Sequence, residues 1–175
     1  MGNMTVKLSE IESGKTFEIG GVEFIKFSEE NGETIAVTKD IVFRSEFGKN
    51  NRFEKSEILK KLKKEFLPGI AEIVGKENIL EFETDLTTLD GLKDYKTMKS
   101  KVGLPTFDFY RSNREIFDKY KLDTWWWLST ADSTNNNWCV CVSPSGYFNY
   151  IYCSYGIGVR PFCRFVSSIS VSRVN

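Results

Sequence analysis

Four thiols carry most of the latent chemistry of this chain. Cys139, Cys141, Cys153 and Cys163 all fall in its C-terminal quarter, where they could form disulfides, ligate a soft metal or act as nucleophiles. Each role needs a companion. Histidine is absent from the whole sequence, which removes the commonest metal ligand and the one side chain that normally titrates between about pH 5 and 8. Ser-His-Asp, Cys-His and His-metal mechanisms are therefore excluded. Cys139 and Cys141 would share one strand face at period 2, and a Cys-x-Cys pair with no other soft ligand near it is a thin zinc signal. Met1 to Ile11 has no apolar run of signal-peptide length. The chain is expected to be made in the cytoplasm, where thiols stay free, and to leave it only on a carrier such as a phage particle. No catalytic residue, metal or cofactor is expected.

Other chemistry-bearing fragments are incomplete. Ser13-Gly14-Lys15-Thr16 imitates the end of a phosphate-binding loop, but Ser9 stands where that loop needs its first glycine, so the fragment reads as a turn. Lys60, Lys61, Lys63 and Lys64 read as the solvated face of a helix. Asp132 with Asn135, Asn136 and Asn137 offers oxygen ligands, without the Glu-Pro-Asn and Trp-Asn-Asp triplets of calcium-dependent sugar binding. Lysine plus arginine number 24 and aspartate plus glutamate 24, so no overall field draws the molecule to nucleic acid or to an anionic membrane. No apolar stretch reaches the roughly 18 residues of a membrane span.

The elements that must position these residues are of two kinds. Thr16 to Thr38 reads as a β-meander, with Phe17 and Ile19, then Val22 to Phe27, then Thr34 to Val37 as strands and with Gly20-Gly21 and Asn31-Gly32 as turns. From Ser56 the period becomes helical: Ile58, Leu59, Leu62 and Phe66 mark one face, Ser56 caps it, and Pro68-Gly69 is the expected stop. Ile79 to Phe82 looks extended, and Asp85 to Tyr95 is rich in turns. Pro105-Thr106 opens a second helix through about Lys119, with Phe109, Ile116 and Phe117 inward. Beyond Trp125 no helical period survives, and Trp138 to Val142, Gly146 to Tyr152 and Val159 to Val166 read as strands. The pattern predicts a single α+β domain over 1–175: a meander at 1–45, a helical part at 56–120 and a β region at 125–170. The two main helices and the N-terminal meander should support a twisted C-terminal antiparallel sheet, with Trp126, Leu128, Val159 and Phe165 buried and Arg160 anchoring loop carbonyls or a carboxylate.

Trp126-Trp127-Leu128-Ser129-Thr130, the Gly146 turn and Gly158-Val159-Arg160-Pro161-Phe162 together resemble the W-W-L and G-V-R-P signatures of a bacterial and phage C-type lectin-like family of unknown function. Phe47-Gly48 with Asn50-Asn51, the Ser56 helix, Asp85 to Gly91, and Arg111 with Asn113-Arg114 are similar too, so the resemblance covers nearly the whole chain. It implies a C-type lectin-like fold. Wider relatives of that fold include formylglycine-generating enzymes and the variable proteins of diversity-generating retroelements.

The block from 139 to 157 is the most unusual stretch. Cys139, Cys141, Ser143, Tyr147, Phe148, Asn149, Tyr150, Ile151, Tyr152, Cys153, Ser154, Tyr155 and Ile157 mix aromatic, thiol, hydroxyl, amide and aliphatic groups with no clear period. Such a mixture suits a combining site, where Tyr gives wide amphipathic contact at small entropic cost and Ser and Asn give adaptable hydrogen bonds. These thirteen residues are the candidate ligand-binding set. The genetic code adds a second argument. Retroelement diversification replaces template adenines, so AAY asparagine codons become Tyr, Cys, Ser, Phe, Ile, Gly or Asp, but never Trp, Met, Lys, Gln or Glu. Segment 139–157 contains none of those five, and Asn149 and Asn135 to Asn137 read as unmutated template positions. The sequence thus points to a phage- or prophage-encoded binding protein that recognises a protein or cell-surface ligand. The alternatives are a formylglycine-generating type of oxidoreductase, which would need a cysteine pair in a context not found here, and a structural virion or host-factor-binding component.

Overall fold

The computed structural model describes residues 4–174, so the outermost ends of the expected 1–175 domain lie outside the described residues. Its architecture is α+β and mostly strands. A short strand β1 (Thr5–Lys7) precedes the meander, which forms as expected: β2 (Thr16–Ile19), β3 (Val22–Glu30) and β4 (Glu33–Thr38). Asn31 and Gly32 both have positive φ, 52° and 76°, the primed-turn geometry that matches strand twist. A three-residue strand β5 (Phe43–Ser45) follows.

The first helix overturns one expectation. Ser56 caps it by accepting a hydrogen bond from the Leu59 amide, but Pro68-Gly69 does not end it. α1 (Glu57–Lys61) runs through a π-helical stretch, Leu62–Phe66, into α2 (Leu67–Val74), giving one 18-residue helix. Within an α-helix Pro68 would leave the carbonyl four residues back without its donor and collide with it. The widened turn, in which the Leu67 amide donates to Leu62 O, takes up that misfit just before the proline. Gly75, at φ 87°, makes the actual stop.

The region expected to be helical to residue 120 also holds a hairpin, β6 (Phe82–Asp85) and β7 (Thr97–Ser100). The second helix is two: α3 (Phe107–Ser112) and α4 (Arg114–Lys119), broken where the Asn113 side chain donates to Phe109 O. Thr106 caps α3.

β8 (Trp126–Ala131), β9 (Trp138–Val142), β10 (Phe148–Tyr152) and β11 (Ile157–Val159) join β5 in a five-stranded sheet of order β10-β9-β8-β11-β5. The expected strand from Val159 to Val166 is interrupted at Arg160-Pro161. There the chain leaves this sheet and continues as β12 (Phe162–Val166) and β13 (Ser170–Arg173) in a six-stranded sheet, order β1-β13-β2-β3-β4-β12. The meander therefore does not support a separate C-terminal sheet but shares its own sheet with the last two strands. Pairing is antiparallel except between β11 and β8, where Gly158 lies parallel beside Trp126.

Alternation sends each sheet's side chains to two core clusters. Phe17, Phe24, Phe165, Trp127 and Cys163 join Ile58, Leu62 and Ile70 from the long helix. Ile25, Val37, Phe162, Trp126 and Leu128 join Tyr110 and Phe117 from α3 and α4. Trp126, Leu128, Val159 and Phe165 are all buried, as expected. Among the described residues no helix is long and apolar enough to cross a membrane.

Candidate functional site

The candidate residues separate by strand position. β9 is an interior strand with β8 on one side and β10 on the other, and Cys139 and Cys141 lie on the face it shares with Trp127, the register partner of Cys141, fully buried in the same core cluster. Cys153, just past β10, is buried with them, and Cys163 lies on β12 in the same cluster. All four are free thiols. Burial pushes every one of their pKa values up, Cys141 and Cys153 to about 12. At neutral pH they are uncharged, space-filling groups, and Cys139 donates to the carbonyl of Thr130. The three cysteines of the candidate set thus stand behind the surface rather than on it, because Asn149 and Ile151 of the edge strand pair across from Cys141 and Cys139.

The tyrosines lie outside. β10 is the last strand of its sheet, so its rings are covered from one side only. Tyr147, Tyr150, Tyr152 and Tyr155 are 65%, 45%, 51% and 55% exposed. Asn149 and Ser154 are exposed as well, and Ser143, Phe148, Ile151 and Ile157 are half-buried. A period absent from the block as a whole exists within β10: Phe148, Tyr150 and Tyr152 alternate with Asn149 and Ile151. The rings form two connected groups. Tyr155 lies 6.3 Å from Tyr152, Tyr152 lies 6.0 Å from Trp138, and Trp138 lies 5.3 Å from Tyr150, between ring centroids. Farther along the strand Tyr147 stacks on Phe148 at 4.9 Å, and Phe148 meets Phe107 at 5.0 Å. Residues 133–159 contain no Asp, Glu, Lys or Arg, so charge reaches this face from other elements, as where the Arg111 guanidinium lies 5.8 Å over the Phe107 ring. Beside Tyr152 a groove of about 460 Å³ brings in charge, from Glu46, Lys49 and Glu57 next to Asn137 and Ser154.

Rigid elements hold this face from behind. The fully buried Trp127 donates its indole N–H to Ser45 O at 2.9 Å. The Tyr110 hydroxyl, carried by α3, donates to Gly146 O in the turn between β9 and β10. Arg160 is buried and, among the described residues, pairs with no carboxylate: it donates to the carbonyls of Thr38 and Lys39 and lies over Trp126 at 4.6 Å. Burial lowers its pKa to about 10, still high enough to keep the guanidinium charged at neutral pH.

Three contributors escaped the sequence reading. Trp138 is the central ring of the exposed series, although its type suggested a strand start and nothing more. Phe107 joins Phe148 and Tyr147 from another element, which local period cannot reveal. Asn51 is the third. Buried, it donates to the carbonyls of Asp132, Asn135 and Trp138 and accepts from the Tyr95 hydroxyl, while its own amide donates to Asn136 O. One side chain thereby sets the loop that delivers Trp138. Asp132 spends one carboxylate oxygen on the Thr134 amide and hydroxyl and the Asn135 amide, the pattern of a local turn. Among the described residues no three His, Cys, Asp or Glu side chains gather as metal ligands.

Compared with models of protein families, with curated proteins and with solved structures, the chain matches none.

Proposed function

We propose that this protein is a non-catalytic binding module that recognises a protein or cell-surface ligand through the aromatic face of β10 and its flanking turns. The observation that carries the reading is the connected series of three exposed tyrosines, Tyr150, Tyr152 and Tyr155, around Trp138, with a fourth, Tyr147, exposed at the other end of the strand, in a segment that itself carries no charge. Exposed aromatic rings in contact are costly to solubility and mark contact surfaces, and tyrosine is among the residues that dominate binding energy when an interface covers them. The face is backed by a strand buried on both sides and by a loop fixed by Asn51, so little ordering would remain to be done on binding. The neutral, buried thiols fit packing roles better than redox ones.

On this reading the fold is of the C-type lectin-like class, and the chain is a phage- or prophage-encoded variable protein diversified by a retroelement. Diversification would act on the exposed positions, Tyr147, Asn149, Tyr150, Tyr152, Ser154 and Tyr155, and would spare the buried cysteines. The genomic half is tested by the flanking DNA: a reverse transcriptase gene with an asparagine-rich near-repeat of codons 135–165 is expected, and their absence removes the diversification claim. The recognition half is tested by panning a random-peptide library and a glycan array against the protein. Recovered binders should lose at least about tenfold in affinity for Tyr150→Ala and Tyr155→Ala and be unaffected by Lys64→Ala on the long helix. Binders indifferent to the tyrosine substitutions would sink it.

A further inference from the structure

Sheet edges attract strands, and natural edge strands are usually blunted by a lysine, a proline, a bulge or a covering element. β10, Phe-Asn-Tyr-Ile-Tyr, has neither lysine nor proline, its register with β9 is unbroken, and among the described residues no strand lies on its outer side. The register also fixes which backbone groups remain free. Ser143 N donates to Tyr147 O and Cys153 N donates to Asn137 O, so residues 147, 149, 151 and 153 turn their amides and carbonyls toward β9. Those of Phe148, Tyr150 and Tyr152 point out from the edge, where the Tyr152 carbonyl already accepts from the Tyr155 amide at 3.0 Å. The central one has a local substitute: Asn149 Oδ1 accepts from the Tyr150 amide at 2.8 Å.

We infer that β10 is a self-pairing edge, along which two copies of this chain join their five-stranded sheets antiparallel about a two-fold axis at Tyr150. The occupant is a second copy because the strand is complementary to itself when reversed. Aromatic residues stand at the centre and two places to either side, so Tyr150 would face the second copy's Tyr150 and Phe148 its Tyr152. Asn149 would face Ile151 on the opposite side of the sheet. No charge lies between residues 133 and 159, and the formal net charge is zero, so neither the strand's own side chains nor the net charge of the molecule opposes the pairing. The three outward residues of each strand supply about six hydrogen bonds to such a pair, two of them to Tyr152 carbonyls that are shared with the Tyr155 amide. Cross-strand neighbours share a face, so the two aromatic surfaces would merge into one of twice the width. The Asn149 amide acts as a cap that must swing aside first.

This inference builds on the recognition reading only in locating the face, and the two can fail separately. Sedimentation equilibrium of the whole protein from about 1 μM to 1 mM should show a monomer–dimer equilibrium. Asn149→Ala, which removes the cap, should tighten it about threefold or more, whereas Tyr150→Pro should weaken it at least about tenfold. The Tyr150 N–H takes no part in the ladder to β9, so proline is compatible with the folded edge. Tyr150→Ala keeps that N–H and should retain the dimer while losing the library binders, which separates ring recognition from edge pairing. Hydrogen exchange of the unsubstituted protein gives a readout independent of any variant. The Tyr150 and Tyr152 amides should gain protection as concentration rises, and those of Asn149 and Ile151 should be protected throughout. A monomer at all concentrations, a dimer unmoved by Tyr150→Pro, or a dimer weakened by Asn149→Ala would overturn the inference.

Discussion

β8 and β10 lie two places apart in one sheet, and both are dense in aromatic residues, yet their rings meet opposite fates. Trp126, Trp127 and Leu128 on β8 are fully buried, because strands flank them on both sides and a core cluster closes over each face. Tyr150 and Tyr152 on β10 are about half exposed, because their strand has a neighbour on one side only. Composition alone does not separate structural rings from recognition rings. Position in the sheet does, and the two sets should respond to substitution in opposite ways.

The largest effect is expected from the interior. Trp126→Ala removes a ring that packs on Phe117, Tyr110 and the Arg160 guanidinium, and should cost about 3 to 5 kcal/mol in a urea titration. A smaller loss, about 2 to 3 kcal/mol, is expected for Asn51→Ala, which removes a side-chain donor from three loop carbonyls, two of which keep backbone donors, and takes the acceptor from the Tyr95 hydroxyl. That variant should also broaden the Trp138 fluorescence response, since the loop delivering the ring loosens.

Thiol titration probes the layer between interior and edge. Cys141 and Cys153 have folded pKa values of about 12 against an ordinary 9.0, so the folded state holds its protons more tightly than the unfolded chain does. Stability from these groups is complete below about pH 9 and is lost as pH rises toward about 12. The melting temperature should fall by at least roughly 2 to 4 °C, about 1 kcal/mol, across that window, and less in Cys153→Ala. At neutral pH a thiol reagent should label the cysteines only as fast as the protein unfolds.

The smallest stability effect belongs to the edge. Tyr155→Ala and Tyr150→Ala should each change stability by under about 1 kcal/mol, measured beside Trp126→Ala under the same conditions. Should the tyrosine substitutions match the tryptophan one, the contrast between the strands disappears and β10 is ordinary core.

Much of this was legible in the residues themselves. The meander, its two turns, the Ser56 cap and the burial of Trp126, Leu128, Val159 and Phe165 follow from period, capping and turn chemistry, all of which are local. The exposed tyrosines were recognised by a composition that no core strand needs. What escaped was long-range. The continuation of the helix through Pro68 depends on a π turn that accommodates the ring, which no propensity announces. The burial of Cys139 and Cys141 depends on β9 acquiring neighbours on both sides, and a Cys-x-Cys spacing reads the same on an edge strand. Asn51 reaches residues more than eighty positions away, and its role is visible only once the chain has brought them together.

The pairing of β1 with β13 sets the order in which the molecule can be completed. Thr5 lies opposite Ser172 and Lys7 opposite Ser170, and β13 in turn separates β1 from β2. The opening strand therefore has no place in the sheet until residues near the other end have left the ribosome. Contacts of such sequence separation are slow to form because a long loop must close before they stabilise anything. The meander and the long helix can assemble during synthesis, while β1 must wait as an unpaired segment, exposed to proteases and chaperones until β13 arrives to receive it.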